Sequence, residues 1–231
     1  MDPANVISDR FPNLIVHFGD SSSEYNQNET KPVNVFDKVI DPKDMVFAQQ
    51  VHQDHIHLLQ KEDMGAGITK KPIPATDAFI CDISGIFPAI VTADCVPVLI
   101  YDFEKQVVAA VHSGRVGTMK AITQQTINMM QTHFGSSSYN LVILIGPAIC
   151  AAHYPVDKNT FEKYVSATQS EQNFPFIDLK KTIHHQIRST GVPAENILSS
   201  DICTYHDQQY FSYRRERTKS RQISLIGMLK K

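Results

Sequence analysis

The sequence predicts one α/β domain built from largely antiparallel or mixed sheets with helices packed over them. Three observations lead there. Short runs rich in Val and Ile outnumber stretches of helical periodicity. These runs do not alternate strictly with helices, as a doubly wound sheet would require. Two of them, within residues 92–117, are separated only by a short polar turn containing Asp102, Glu104 and Lys105. The 231 residues are enough to bury a proper core, and 42% hydrophobic with 20% charged residues is an ordinary globular balance. No internal repeat, low-complexity segment or clear linker divides the chain, so residues 1–231 are read as a single domain.

In chain order, residues 13–18 (NLIVHF) read as a first strand, followed by the polar, turn-rich loop GDSSSEYNQNETKP. Residues 45–51 (MVFAQQV) are a strand that runs directly into His52. After a Gly/Pro-rich connection, residues 76–81 (TDAFIC) form a strand with Asp77 near its start, and residues 87–91 (FPAIV) lead into the paired runs. In that pair Cys95 stands near the start of one strand and His112 near the end of the next. An antiparallel arrangement brings those two ends side by side. A helix is expected from Thr118, capped by that residue. Ile122, Met129, Met130 and Phe134 form its core stripe, and Gly135 lies just past its end. Residues 140–145 (NLVILI) are a buried strand ending at Gly146-Pro147. A second helix is expected from Asn159 with Glu162 completing a capping box. A third starts at Asp178, buries Leu179, Ile183 and Ile187, and stops at Gly191-Val192-Pro193. Strands at 197–205 and 222–229 flank FSYRRERTKSRQ.

A net charge of −2 gives no reason to expect nucleic acid or an anionic membrane as partner. No apolar run approaches the roughly 20 residues that span a bilayer. The N-terminus, MDPANVISDRF, lacks the basic start and apolar middle of a signal peptide, so a cytoplasmic location is expected. There, the sequon Asn28-Glu29-Thr30 carries no meaning. The four cysteines (Cys81, Cys95, Cys150, Cys203) contain no C-x-x-C pair, which argues against a disulfide framework or a zinc knuckle. Cys81, Cys150 and Cys203 read as buried, inert thiols.

Most of the ten histidines have bland explanations. His55 and His57 alternate with Ile56 and suit a solvent face, and His17, His133, His153 and His206 have no partner nearby in sequence. His52 and His112 differ, because each follows an apolar run directly and can be held rigidly at a strand end. With Cys95 they make a borderline-soft donor set that suits Zn²⁺, with copper as the alternative. Three protein ligands leave a fourth tetrahedral position open, as in catalytic zinc sites. Spacing alone leaves this reading open, since any globular chain offers some distant His/Cys triple.

At these residues the sequence resembles the YfiH-like family, also known as the laccase-domain, polyphenol-oxidase or peptidoglycan-editing-factor family. The similar blocks are QVH (50–52), TDA (76–78), TADCVPVLIYD (92–102), VHSG (111–114) and IGPAI (145–149) with Tyr154 and Val156. The C-terminal CTY and FSYRRERTKSRQ complete them. The resemblance implies a layered α-β-β-α sandwich with mixed sheets, similar to the catalytic domain of cytotoxic necrotizing factor. It implies that His52, Cys95 and His112 are catalytic metal ligands. It further implies a zinc enzyme that phosphorolyses adenosine, inosine and methylthioadenosine and deaminates adenosine. Family members are also described as copper polyphenol oxidases and as hydrolases that edit a cell-wall precursor. A zinc-binding protein without catalysis is a further alternative. Multicopper oxidation finds little support in the residues, because only one three-ligand site can be assembled from the sequence. Asp94 is read as a catalytic or ligand-supporting carboxylate beside Cys95, and Asp77 as a group in the substrate site or behind the ligands. Arg115, Arg214 and Arg215, with Arg217 and Arg221, are candidates for binding phosphate through guanidinium forks. Two departures from the family pattern stand out. The turn H-A/S-G-W-R-G is here His112-Ser113-Gly114-Arg115-Val116-Gly117, and the N-terminal segment keeps only Gly19 and Asn26 of the pattern that closes over the substrate.

Overall fold

The computed structural model describes residues 3–8, 10–26, 31–35 and 37–230, so the sequon lies outside the described residues. In chain order the strands are β1 (Leu14–Phe18), β2 (Val33–Val35), β3 (Lys38–Ile40), β4 (Met45–Val46), β5 (Ile56–Leu58) and β6 (Ala78–Cys81). They continue with β7 (Phe87–Thr92), β8 (Val96–Asp102), β9 (Val107–Ser113), β10 (Leu141–Ile145), β11 (Ile197–Ser199) and β12 (Gln222–Met228). The helices are α1 (Pro3–Ser8), α2 (Arg115–Met119), α3 (Ile122–Phe134), α4 (Lys158–Thr168), α5 (Leu179–Ser189) and α6 (Tyr213–Glu216).

Two mixed sheets carry the fold, one ordered β11-β10-β8-β9-β6-β5 and the other β1-β12-β7-β4. The expected hairpin of β8 and β9 lies at the centre of the larger sheet, antiparallel and in register from Val96↔Ser113 to Asp102↔Val107. Its turn is fastened by Asp102, whose Oδ1 accepts from the amides of Glu104 and Lys105, each at 2.9 Å. Both strands are apolar on two faces because both faces are covered. Val98, Ile100, Ala109 and Val111 pack under α3 and α5, while Leu99, Tyr101, Val108 and Ala110 meet Val16, Ile90 and Ile226 of the smaller sheet. The outer face of the smaller sheet, through Ile15, Ala89 and Leu225, packs against Val33, Val35 and Ile40 of the β2–β3 hairpin. The architecture is mixed α/β with few helices, as expected. No helix among the described residues is long and apolar enough to cross a membrane.

Several local expectations change. The helix expected from Thr118 is two helices, broken where Ala121 adopts φ 56°. Thr118 lies inside α2 and donates its hydroxyl to the Gly114 carbonyl at 2.9 Å, so it caps nothing. Its own carbonyl, near the break, accepts from Gln186 Nε2 at 2.8 Å. Gly135 does close α3 in the left-handed conformation. Helix α4 starts at Lys158 because the Asp157 carboxylate reaches the Thr160 amide (2.9 Å), and Glu162 pairs weakly with Lys158 at 3.8 Å instead of completing a box. Helix α5, expected from Asp178, begins one residue later at Leu179, with the Asp178 carboxylate capping it by accepting from the Lys181 amide. The strands expected at 45–51 and 197–205 end at Val46 and Ser199, because beyond those points only the single bridges Ala48↔Ile73 and Ala148↔Cys203 continue the pairing. The freed segments become the loops around the site.

Candidate metal centre

The register that pairs Pro97 with His112 sets Cys95, one residue before β8, beside the end of β9. His52 arrives from the loop after β4 with φ 58°, a left-handed conformation that a non-glycine residue holds only when its surroundings demand it. Asp77 makes that demand. Its Oδ1 accepts from the His52 amide (3.0 Å) and from His112 Nδ1 (2.8 Å), and its Oδ2 accepts from the amides of Val51 (3.2 Å) and Gln53 (2.8 Å). The Gln50 side chain adds a second fastening, exchanging hydrogen bonds with the Val91 amide (2.8 Å) and carbonyl (2.9 Å). With Nδ1 committed to Asp77, His112 presents Nε2 to the cluster.

The donor atoms of His52, Cys95 and His112 all lie within 4.8 Å of one another. The two imidazoles meet edge to face, with centroids 4.7 Å apart. Gly114 makes the approach possible, since a Cβ there would stand 2.9 Å from Cys95 Sγ and 3.3 Å from His52 Cδ2. Burial by itself would push the Cys95 thiol up, but His112 and His52 beside it outweigh burial and bring it down to about 6. Burial would likewise lower His112, yet the Cys95 thiolate and Asp77 raise it to about 9. Asp77 is held below the ordinary carboxylate range: burial opposes this, and His112 with the Gln53 and His52 amides outweighs it. A ready thiolate and two imidazoles, that of His112 fixed by Asp77, form a donor set that fits Zn²⁺ or a copper ion.

The cluster lies at one wall of a cavity of about 740 Å³, within the range of small-molecule sites. Arg115, Tyr154, Tyr213, Arg214 and Arg221 line it with the donors. Arg115 opens α2 and reaches the cavity from the altered turn, and Val116 lines it as well. Arg214 lies over the Tyr154 ring at 4.9 Å and donates to the Pro155 carbonyl at 2.8 Å. Arg221, which donates to the carbonyls of Thr218 and Ser220, was among the sequence candidates and also faces the cavity.

The structure places three further sequence candidates as follows. Asp77 has 0% side-chain exposure and both of its oxygens accept hydrogen bonds behind the histidines, the second of its two sequence readings. Arg215 lies away from the cavity wall, spending its guanidinium on the carbonyls of Thr204 (2.8 Å), Tyr205 (3.1 Å) and Tyr210 (2.7 Å). Asp94 does line the cavity, with φ 86°, but its Oδ1 accepts from the Thr204 hydroxyl (2.8 Å) and its Oδ2 from the Arg214 amide (2.6 Å). In that geometry it clamps the loops that carry Thr204 and Arg214. His55 and His57 face Ala75 O and Asp63, away from the donors.

Sequence reasoning also missed a second group of donors. Cys150, His153 and Cys203 gather with their donor atoms within 4.8 Å of one another. Cys150 and Cys203 are partly exposed, which contradicts their reading as buried thiols, whereas Cys81 is buried and pushed up to about 11 by that burial. The C-x-x-H spacing at 150–153 was the local signal that could have found them.

Fold and site together define a mixed α/β protein with a His/Cys/His cluster at an arginine-rimmed cavity. A family model described as "Multi-copper polyphenol oxidoreductase laccase" matches residues 9–229, and the chain belongs to that family, the YfiH-like one its motifs resemble. It is 31% identical to a purine nucleoside phosphorylase of Bacteroides thetaiotaomicron, over 94% of this chain and 84% of the relative. It is 28% identical to the purine nucleoside phosphorylase YlmD of Bacillus subtilis, over 94% of this chain and 81% of the relative. The crystal structure of the hypothetical protein YfiH of Bacillus licheniformis superposes with a TM-score of 0.81 at 26% identity, covering 95% of this chain and 94% of that one.

Proposed function

We propose that this chain is a cytoplasmic zinc-dependent purine nucleoside phosphorylase, acting on adenosine, inosine or methylthioadenosine. His52, Cys95 and His112 hold the metal in this reading. The observation that carries it is the placing of one three-donor cluster and three guanidinium groups, Arg115, Arg214 and Arg221, on the same cavity. The names of the relatives support the substrate class.

Phosphorolysis joins a phosphate oxygen to C1′ of the ribose while the C1′–N9 bond breaks, and the purine leaves with the bonding electron pair and takes up a proton. The guanidinium groups neutralise phosphate and hold it by charge-assisted hydrogen bonds. Tyr154 and Tyr213 offer aromatic walls to base or ribose. Asp77 keeps the His112 imidazole in one orientation and holds the His52 backbone, and Asp94 keeps the Arg214 segment against the cavity. A bound Zn²⁺ supplies Lewis-acid polarisation of a coordinated ligand atom. The same site would accommodate deamination of adenosine, in which water replaces the exocyclic amine.

The test is incubation of zinc-loaded protein with inosine and with adenosine, each with and without phosphate. Phosphate-dependent release of free base with ribose 1-phosphate is expected. Neither base, nor ribose phosphate, nor inosine from adenosine would overturn the proposal. Release of an amino acid from a mismatched UDP-muramoyl substrate would move the assignment to precursor editing, and phenol oxidation by copper-loaded protein would move it to the oxidase.

A further inference from the structure

We propose that Cys150, His153 and Cys203 form a second metal site, specific for a thiophilic ion such as Zn²⁺. Its role would be to tie together the two loops that shape one wall of the cavity.

The geometry fits a tetrahedral ion. His153 Nδ1 stands 3.2 Å from Cys150 Sγ and 3.4 Å from Cys203 Sγ. Zinc with Zn–S near about 2.3 Å and Zn–N near about 2.0–2.1 Å separates its sulfur and nitrogen ligands by roughly 3.5 Å. The ring plane is set in advance, because His153 stacks on Tyr205 with centroids 4.4 Å apart and planes 20° apart. The Cys150 amide donates to Cys203 Sγ at 3.3 Å, the kind of backbone N–H···S bond that supports a coordinating thiolate. All three residues are partly exposed, so an ion can enter and solvent can complete its coordination. Two thiolates balance the charge of a divalent ion.

The ligands come from two separate segments. Cys150 and His153 precede Tyr154, which lines the cavity, and Cys203 precedes Thr204, whose hydroxyl holds Asp94. Asp94 in turn accepts from the Arg214 amide, and its carbonyl accepts from the Ile149 amide at 3.0 Å. An ion at this cluster would therefore cross-link the segment carrying Tyr154 to the one that leads to Arg214. The proposal does not depend on the substrate reading.

Full-length protein is purified under reducing conditions, loaded with Zn²⁺, desalted and assayed for bound metal by mass spectrometry. Two zinc ions per chain are expected, with one in Cys203→Ser, one in His52→Ala and none in the double variant. Cobalt loading gives a second readout. The thiolate-to-cobalt absorption should fall by about two-thirds in the Cys150→Ser/Cys203→Ser variant, which keeps one of three thiolate ligands. Far-UV circular dichroism checks that the variants fold, and the cobalt spectrum of the unmodified protein alone should report more than one thiolate. One zinc per unmodified chain, unchanged by Cys203→Ser, would overturn the proposal. So would a Cys150–Cys203 disulfide found by mass spectrometry in the metal-loaded protein.

Discussion

His52 and His112 are held from behind by one buried carboxylate, whereas Cys150, His153 and Cys203 are held by two loops and by one another. In the first cluster the β8–β9 register and Asp77 set the backbone of His52 and the ring of His112 before any ion arrives, and the His112 ring cannot turn away without breaking a buried hydrogen bond. In the second, no carboxylate among the described residues backs His153, and its ring is kept in plane by stacking on Tyr205. The difference separates two uses of similar ligands. A rigid set facing a cavity suits chemistry, and a set shared between loops suits fastening.

The comparison can be broken most severely at the first cluster. Cys95→Ala or His112→Ala removes one of three donors, so nucleoside phosphorolysis should fall by about 1,000-fold or more, the equivalent of several kcal/mol of lost Lewis-acid stabilisation. Steady-state assays on zinc-loaded variants measure it, and turnover within tenfold of the parent would remove the metal from the mechanism.

The thiols themselves separate next. Cys95, brought down to about 6 from an ordinary 9.0, is a thiolate at neutral pH, with a thiolate fraction roughly a hundredfold above that of an unperturbed thiol. The thiolate is the nucleophile, so alkylation of Cys95 in metal-free protein should rise as pH increases through about 6 and level off above it. Cys150, pushed up by burial and then by its Cys203 neighbour, should react only at higher pH. Peptide-resolved alkylation across pH 5–10 reads both profiles, and a Cys95 midpoint near 9 would contradict the thiolate–imidazolium pair.

Asp77→Asn tests the support itself. The amide keeps the shape but cannot accept from all four donors, and zinc affinity at the first cluster should drop by about 10- to 100-fold. Competition with a chelator measures this. Affinity left unchanged would mean that strand register alone holds the histidines.

The smallest effect is expected at the cavity rim. Arg115→Ala removes one charge-assisted contact, which should raise the KM for phosphate about tenfold and leave that for inosine nearly unaltered. An equal rise in both would place Arg115 against the nucleoside and leave the anion site to Arg214 and Arg221.

Much of the scaffold was legible because its signals are local. The β8–β9 hairpin follows from two Val/Ile runs around an Asp-containing turn, and α5 from its apolar stripe and the Gly191-Val192-Pro193 stop. The split between α2 and α3 was not legible, because Ala121 has no local preference for the left-handed conformation it adopts. The arginine-rich block could be read as an anion site, but not which of its members faces the cavity. Arg215 turns inward to loop carbonyls while Arg214 and Arg221 face the cavity, and that sorting depends on how the chain returns past Thr204 and Tyr210.

By itself, then, the sequence determined the class of fold, the antiparallel pair that carries Cys95 and His112, and through its motifs the family. Those depend on periodicity and on short blocks whose chemistry is written in adjacent residues. The tertiary structure alone chose, between the two readings of Asp77, the place behind His52 and His112, and alone decided that Asp94 clamps loops. It alone showed that Cys150 and His153 meet Cys203 from fifty or more residues away along the chain. Such encounters depend on where two loops end after the sheets have packed, and no local preference of the residues records that distance.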